Sequence, residues 1–416
     1  MAQNVYIIGA GRTDFKRNAK KEGIGLRELI LEAGRAAIAD ARIDPADVES
    51  GVVGNFAAGL FTRQLHLGAF LTEIDSALRG LPTLHTEAAC ASGGVAVLNG
   101  IQQIMGQIHE VVLIVGVEQQ KTMSPADGAD VLGAAAEYAR EKQRFGAFVF
   151  PKLFAEIARV YQERHGLTER QLALVAVKNY AHARSNPQAQ MRDAVLSLGN
   201  ASQESEGNPR IAPPLKVTDC SQITDGAAAL VLCSEGFLRE LMGRKASGAR
   251  AAARLVGFGH TTDYLPLERK QIPEFPQARR AARQAYEMAG LQPTDIDAAE
   301  IHDCFTISEL VGYEVLGLCE PGQAAQLLES GATALPEVRS LISMATPKRS
   351  IPVNPGGGLL GDGHPVGATG VRQVAEAYRQ LTGTAGPRQV RGARRVLTCN
   401  VGGSFTSNVV MIWERP

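Results

Sequence analysis

One short unit occurs twice, about half a chain apart, and it limits the possible folds more than any other feature. Residues 26–41 carry helical apolar spacing through Leu26, Leu29, Ile30, Ala33, Ala37 and Ile38. Ile43-Asp44-Pro45-Ala46-Asp47-Val48 follows, and then the apolar run 51–54. Residues 278–290 form a second helical stretch, leading to Leu291-Gln292-Pro293-Thr294-Asp295-Ile296 and the apolar run 298–301. Each copy then continues in the same way. A small-residue helix after Cys90 precedes the buried-strand pattern 110–118, and a helix after His364 precedes 395–401. A chain that repeats strand, helix, strand, helix, strand is expected to fold as a duplicated α/β unit, with the helix starts near Cys90 and His364 meeting at one site.

Residues 119–223 do not fit the repeat. They contain the aromatic patch 145–150, a helical run through Phe154, Ile157, Val160 and Tyr161, further helical pattern over 167–183, and Pro- and Asn-rich loops. The expected organisation is therefore an N-terminal half, 1–118 with 224–250, interrupted by an inserted loop domain, 119–223, and followed by a C-terminal half, 251–416. An insertion of this size with its own helices reads as a lid or substrate domain, or as packing and dimer surface.

Composition narrows the function. Lys+Arg and Asp+Glu balance at 43 each, so nucleic acid and anionic membrane surfaces are not expected partners. The six cysteines form no C-x-x-C pair, so no metal site is expected, and scattered thiols suit a reducing compartment. No signal-peptide pattern, membrane-length apolar run or peroxisomal terminus is present, which points to a cytoplasmic protein without membrane insertion. Gly9-Ala10-Gly11 lacks the third glycine of a dinucleotide fingerprint, Asp14 standing in its place.

Two positions carry potential chemistry. Cys90 lies among Ala, Ser and Gly, with room for a substrate to approach. A helix starting beside it would favour the thiolate, whereas the competing reading is a small buried hydrophobe. Pro365 at a first helical position would start a helix at His364 and keep the imidazole neutral, whereas the competing reading is a histidine capping a glycine loop.

Together these motifs resemble the thiolase family, and more narrowly its sterol-carrier-protein-thiolase-like subgroup. The carriers are Ala89-Cys90-Ala91-Ser92-Gly93, His302-Asp303-Cys304-Phe305, Asn354-Pro355-Gly356-Gly357-Gly358 with Gly363-His364-Pro365 to Gly370, Asn400-Val401-Gly402-Gly403, and Ser221 to Gly226. They stand in family order over essentially the whole chain. The resemblance implies a five-layer α-β-α-β-α fold with an inserted loop domain that holds coenzyme A, and a homodimer or homotetramer. It implies reversible thiolytic cleavage and Claisen condensation of 3-oxoacyl-CoA with CoA, an acyl group being carried on Cys90. CoA and acyl-CoA would be substrates, with no permanently bound cofactor.

The same resemblance makes His364 the base. It makes Cys304 the second cysteine, which moves the α-proton of acetyl-CoA, with Cys399 as the alternative. In many thiolases that cysteine lies in a terminal Cys-x-Gly loop, but here Asn400 occupies its place and Cys399 comes one residue early. His302, replacing an asparagine of other thiolases, would join His364 around the enolate oxygen. The N–H groups of Cys90 and Gly402 would hold the tetrahedral intermediate, and Ser221 would bond the pantetheine arm, or else form a simple turn before Asp225. Rival expectations are an acyltransferase using another carbon nucleophile and a non-catalytic acyl-CoA- or lipid-binding subunit.

Overall fold

The computed structural model describes residues 3–244 and 252–416. The boundary expected at 250/251 therefore lies outside the described residues. In the first half, strand β1 (Val5–Arg12) leads to helix α1 (Leu26–Ala41) and strands β2 (Ser50–Gly54) and β3 (Thr83–Thr86). Helix α2 (Ser92–Met105) and strand β4 (Val111–Glu118) follow. The inserted stretch contributes, among others, α3 (Val149–His165) and α4 (Glu169–Ala183), and strand β5 (Gly226–Ser234) returns the chain to the first half. The second half runs β6 (Ala253–Thr262), α5 (Pro276–Ala289), β7 (Ala298–Ile301), α6 (Thr306–Val315), α7 (Thr369–Thr382), β8 (Arg395–Gly402) and β9 (Ser407–Glu414).

The duplication is visible in the pairing. The first half has the order β3-β2-β4-β5-β1, and the second has β7-β8-β9-β6. β2 pairs parallel with β3 and β4, whereas β5 runs antiparallel to both β4 and β1. In the second half β7 pairs parallel with β8, and β9 runs antiparallel to both β8 and β6. A parallel bridge from Ala299 to Val353 takes the place that β3 holds in the first half. The halves join where Tyr6 and Ile7 of β1 meet Arg254 and Ala253 of β6, antiparallel.

Five layers result. α1 covers the outside of the first half and α5 the outside of the second, while α2 and α7 pack on each other between the two parts of the sheet. The two Pro-x-Asp turns found in the sequence are the same device. Asp47 accepts from the Asp44 N–H at 3.1 Å, and Asp295 accepts from the Gln292 N–H at 2.8 Å. The Gly9-x-Gly11 pair also has a counterpart, Gly257-x-Gly259. A Cβ at Gly11 would lie 2.4 Å from the Ala33 carbonyl oxygen of α1, and one at Gly259 would lie 2.0 Å from that of Ala281 in α5. These glycines let a helix backbone lie directly on a strand.

Candidate active site

Cys90 sits on a sharp turn between β3 and α2. Ala89 is held at φ 52°, a left-handed conformation that alanine adopts at a penalty of about 1 kcal/mol. The Ser92 hydroxyl braces the turn, donating to the Ala89 carbonyl at 2.6 Å and accepting from the Ala88 N–H at 2.9 Å. The helix begins at Ser92, two residues beyond the thiol. The expected thiolate preference is not found. Cys90 opens on a cavity but lies deep, and burial pushes its thiol up to about 12, against the opposing pull of the Gly403 N–H. Cys90 rests as a thiol, so a nucleophilic role would require a base beside it.

The His364 imidazole lies beside Cys90. Its Nδ1 lies 2.6 Å from the Thr369 hydroxyl, which itself donates to the Pro365 carbonyl at 3.1 Å. With its only proton committed, Thr369 accepts from Nδ1–H, which leaves the Nε2 lone pair free. Burial first, then the Arg372 guanidinium, pushes His364 down to about 3. Its neutrality does not arise from a helix starting at Pro365, because α7 begins four residues later at Thr369. Behind this loop stands Glu118, a residue no sequence pattern singled out. Its carboxylate accepts from the Asn55 amide and from the N–H groups of Phe56, Ala57 and Gly367. It thereby ties the His364 loop to the first half.

His302 and Cys304 follow β7. Asp303 fixes them by accepting from the Leu359 N–H at 2.6 Å, the Leu360 N–H at 3.2 Å and the Asn179 amide at 2.7 Å. The ligand-type atoms of Cys90, His302 and His364 all lie within 4.8 Å of one another, and the two imidazoles meet edge to face, 5.2 Å apart. Cys304 lines the same cavity. Burial, with Cys90 close by, pushes its thiol well above the usual range. Cys399 is not brought to the cavity. One residue from Asn400 on a strand, it takes the opposite face and lies in the outer core near Tyr286, as the period of two requires.

The cavity holds about 260 Å³ and is walled by Cys90, Cys304, His364, Ser221 and Gly403 together with apolar groups such as Phe148, Phe150 and Leu132. Ser221 donates its N–H to the Cys304 carbonyl at 2.9 Å. Gly402 is packed so closely on the Cys90 turn that a Cβ would lie 2.2 Å from the Ala88 oxygen. The N–H groups of its neighbour Gly403 and of Cys90 itself face the Cys90 sulfur. Phe154, one of the insertion aromatics, is fully buried and stacks on Phe305, ring centres 4.4 Å apart. Arg144 pairs with Glu268, and Lys152 donates to the Phe145 carbonyl, so both cations have partners within the chain.

The turn after Gly403 is clamped by Lys270. Its Nζ donates to the Ser404 carbonyl at 2.7 Å, the Ser404 hydroxyl at 2.9 Å and the Thr406 hydroxyl at 2.7 Å. Three acceptors match the three protons of an ammonium, although burial pulls Lys270 down to about 8. Lys270→Met is expected to lower the acylation rate of Cys90 by up to about 10²-fold by misplacing the Gly403 N–H, with a smaller change in KM. Rapid-quench acylation kinetics check this, and an unchanged rate would remove the clamp from the account.

Residues 5–210 match the family described as thiolase, N-terminal domain, and residues 259–415 match the thiolase C-terminal domain-like family. The chain is 37% identical to the acetyl-CoA acetyltransferase of Methanothermobacter thermautotrophicus, over 99% of this chain and 100% of the relative. It is 32% identical to human sterol carrier protein 2, over 96% of this chain and 70% of the relative. Among solved structures it is similar to the Ltp2-ChsH2(DUF35) aldolase, with TM-score 0.80, 26% identity, and coverage of 99% of this chain and 98% of that one. The duplicated fold, the Cys90 and His364 loops meeting at one cavity, and these likenesses over nearly the whole length agree: the chain belongs to the thiolase family, in company with the sterol-carrier-protein relatives.

Proposed function

We propose that this thiolase converts a 3-oxoacyl-CoA plus CoA into a shortened acyl-CoA plus acetyl-CoA, and the reverse, through a thioester on Cys90. The observation that carries the proposal is the convergence of Cys90, His302 and His364 within 4.8 Å beside Cys304 on one largely apolar cavity. In thiolysis, Cys90 gives its proton to His364 Nε2 as its sulfur attacks the 3-oxo carbonyl. The carbon–carbon bond breaks, and the electron pair passes to the acetyl-CoA enolate. Cys304 protonates that carbon, and CoA thiol then takes the acyl group from Cys90. Condensation runs the same steps backwards, Cys304 removing the α-proton.

His302 supplies a donor to the enolate oxygen, since its Nε2 is buried with no partner among the described residues. His364, once protonated, supplies a second. The N–H groups of Cys90 and of the Gly402-Gly403 turn serve the tetrahedral intermediate, and Ser221 meets the pantetheine arm. CoA and acyl-CoA enter as substrates, with no permanently bound cofactor assigned, and the 119–223 insertion forms the loop domain over them. Two copies would join through the open edge of β3, where Leu84 is half exposed. All six cysteines are free thiols, which suits the reducing cytoplasm, and no helix among the described residues is long and apolar enough to cross a membrane.

Thiolysis of acetoacetyl-CoA tests the proposal. Because His364 stays neutral down to about pH 3, the acylation rate is expected to show no acid-side inflection near pH 6.5. Acylation without thiolysis would favour an acyltransferase that uses another carbon nucleophile. An inflection between pH 6 and 7 would show that His364 titrates as an ordinary imidazole.

A further inference from the structure

Cys90, His302 and His364 offer one sulfur and two ring nitrogens close enough to invite a soft metal ion such as zinc. A metal needs a lone pair on each ring nitrogen that points inward. For His364 the lone pair is there, on Nε2. For His302 a third residue decides. Asn400, 3% exposed, is wedged between α2 and α7. Its Oδ1 accepts from the Gly94 N–H at 3.0 Å and its Nδ2 donates to the Cys90 carbonyl at 3.0 Å. Both partners are backbone groups of fixed polarity, so the amide can stand only one way round. The second proton of Nδ2 therefore faces His302 Nδ1, at 3.2 Å. Nδ1 must accept, and the ring proton must sit on Nε2, the atom without a partner.

We propose that Asn400 is a positioning residue that locks His302 as the Nε2–H tautomer, making it a hydrogen-bond donor to substrate oxygen and at the same time denying the Cys90–His302–His364 cluster to metal ions. The proposal rests on the thiolase reading. The same amide also links the nucleophile's carbonyl to that donor, so one side chain sets both halves of the reaction. The other charged or titratable groups near His302 do not compete for Nδ1. His364 and Arg372 act on it only at longer range, and the Asp303 carboxylate is committed to the Leu359 and Leu360 N–H groups.

Aspartate is the isosteric replacement that inverts the logic. A carboxylate accepts from Nδ1–H, drives the proton off Nε2 and creates the carboxylate–histidine arrangement that metal sites use. Alanine merely removes the lock. If Asn400 acted only as packing, Asn400→Asp would be the milder variant. The proposal expects the reverse order. Acetoacetyl-CoA formation, measured relative to acetyl-enzyme formation in the same variant, should fall on the order of 10²-fold in Asn400→Asp and less in Asn400→Ala. Asn400→Asp titrated with Co²⁺ should develop a thiolate-to-cobalt charge-transfer band that the wild-type protein lacks. The proposal is overturned if Asn400→Asp condenses as well as Asn400→Ala, or if the wild-type protein gives the same cobalt band. Should Asn400→Asp fail to fold, the wild-type cobalt titration and Asn400→Ala still decide, because unimpaired condensation in Asn400→Ala also overturns it. A wild-type protein that forms no acetyl-enzyme at all would instead overturn the thiolase reading.

Discussion

Cys90→Ala is expected to form no acyl-enzyme and to lose thiolysis by on the order of 10⁴-fold or more. The size of the effect follows from what remains. Without sulfur there is no thiol to hold the acyl group as a thioester: His302 presents an N–H at Nε2, since its Nδ1 accepts from Asn400, and an acyl group on the free Nε2 of His364 would remove the base. The oxyanion donors would still bind substrate, so CoA affinity should survive. That split between lost turnover and retained binding separates removal of a nucleophile from collapse of the site, and isothermal titration with CoA beside steady-state kinetics records it. Alanine in place of a thiol that opens on a cavity removes little packing, so the thermal midpoint should change little.

The second large effect concerns the two candidate partner thiols. Cys304→Ala should still accept an acyl group on Cys90. It should lose exchange of the acetyl-CoA α-protons with solvent, and with it condensation, by about 10²- to 10⁴-fold. Cys399→Ala should leave exchange intact and instead lower stability by about 1–2 kcal/mol, because its sulfur fills part of the outer core. The distinction rests on strand geometry: Asn400 and Cys399 are neighbours on β8 and so face opposite sides of it. Deuterium incorporation into acetyl-CoA, followed by NMR in heavy water, reads both variants. Exchange lost in Cys399→Ala alone would reverse the assignment.

Much of this was legible in the sequence because it was encoded locally. The Pro-x-Asp turns predicted the duplication, since each aspartate caps a backbone N–H three residues before it. The spacing over 167–183 predicted a helix that forms as Glu169–Ala183. What was not legible depends on contacts across the fold. The resting thiol of Cys90 reflects burial and a helix that starts late, neither of which small-residue spacing reveals. Glu118 and Lys270 act on backbone groups that lie far away in sequence, so no motif marks them, and Asn400 stands inside a motif that does not reveal its contacts with Gly94, Cys90 and His302. That the Gly403 N–H lies by the Cys90 sulfur depends on the turn between β8 and β9 packing on the Cys90 loop, which the glycine pair alone does not reveal. Gly9-x-Gly11 shows the converse: a pattern shared with nucleotide sites serves helix-on-strand packing here.

The central claim is that one thiol among six carries the acyl group. Incubation with isotope-labelled acetyl-CoA, followed by peptide mapping under conditions that preserve thioesters, tests it most directly. Label is expected on the peptide that contains Cys90 and on no other. Label on Cys304 or Cys399 in its place, or an unlabelled protein that still thiolyses acetoacetyl-CoA, would contradict it.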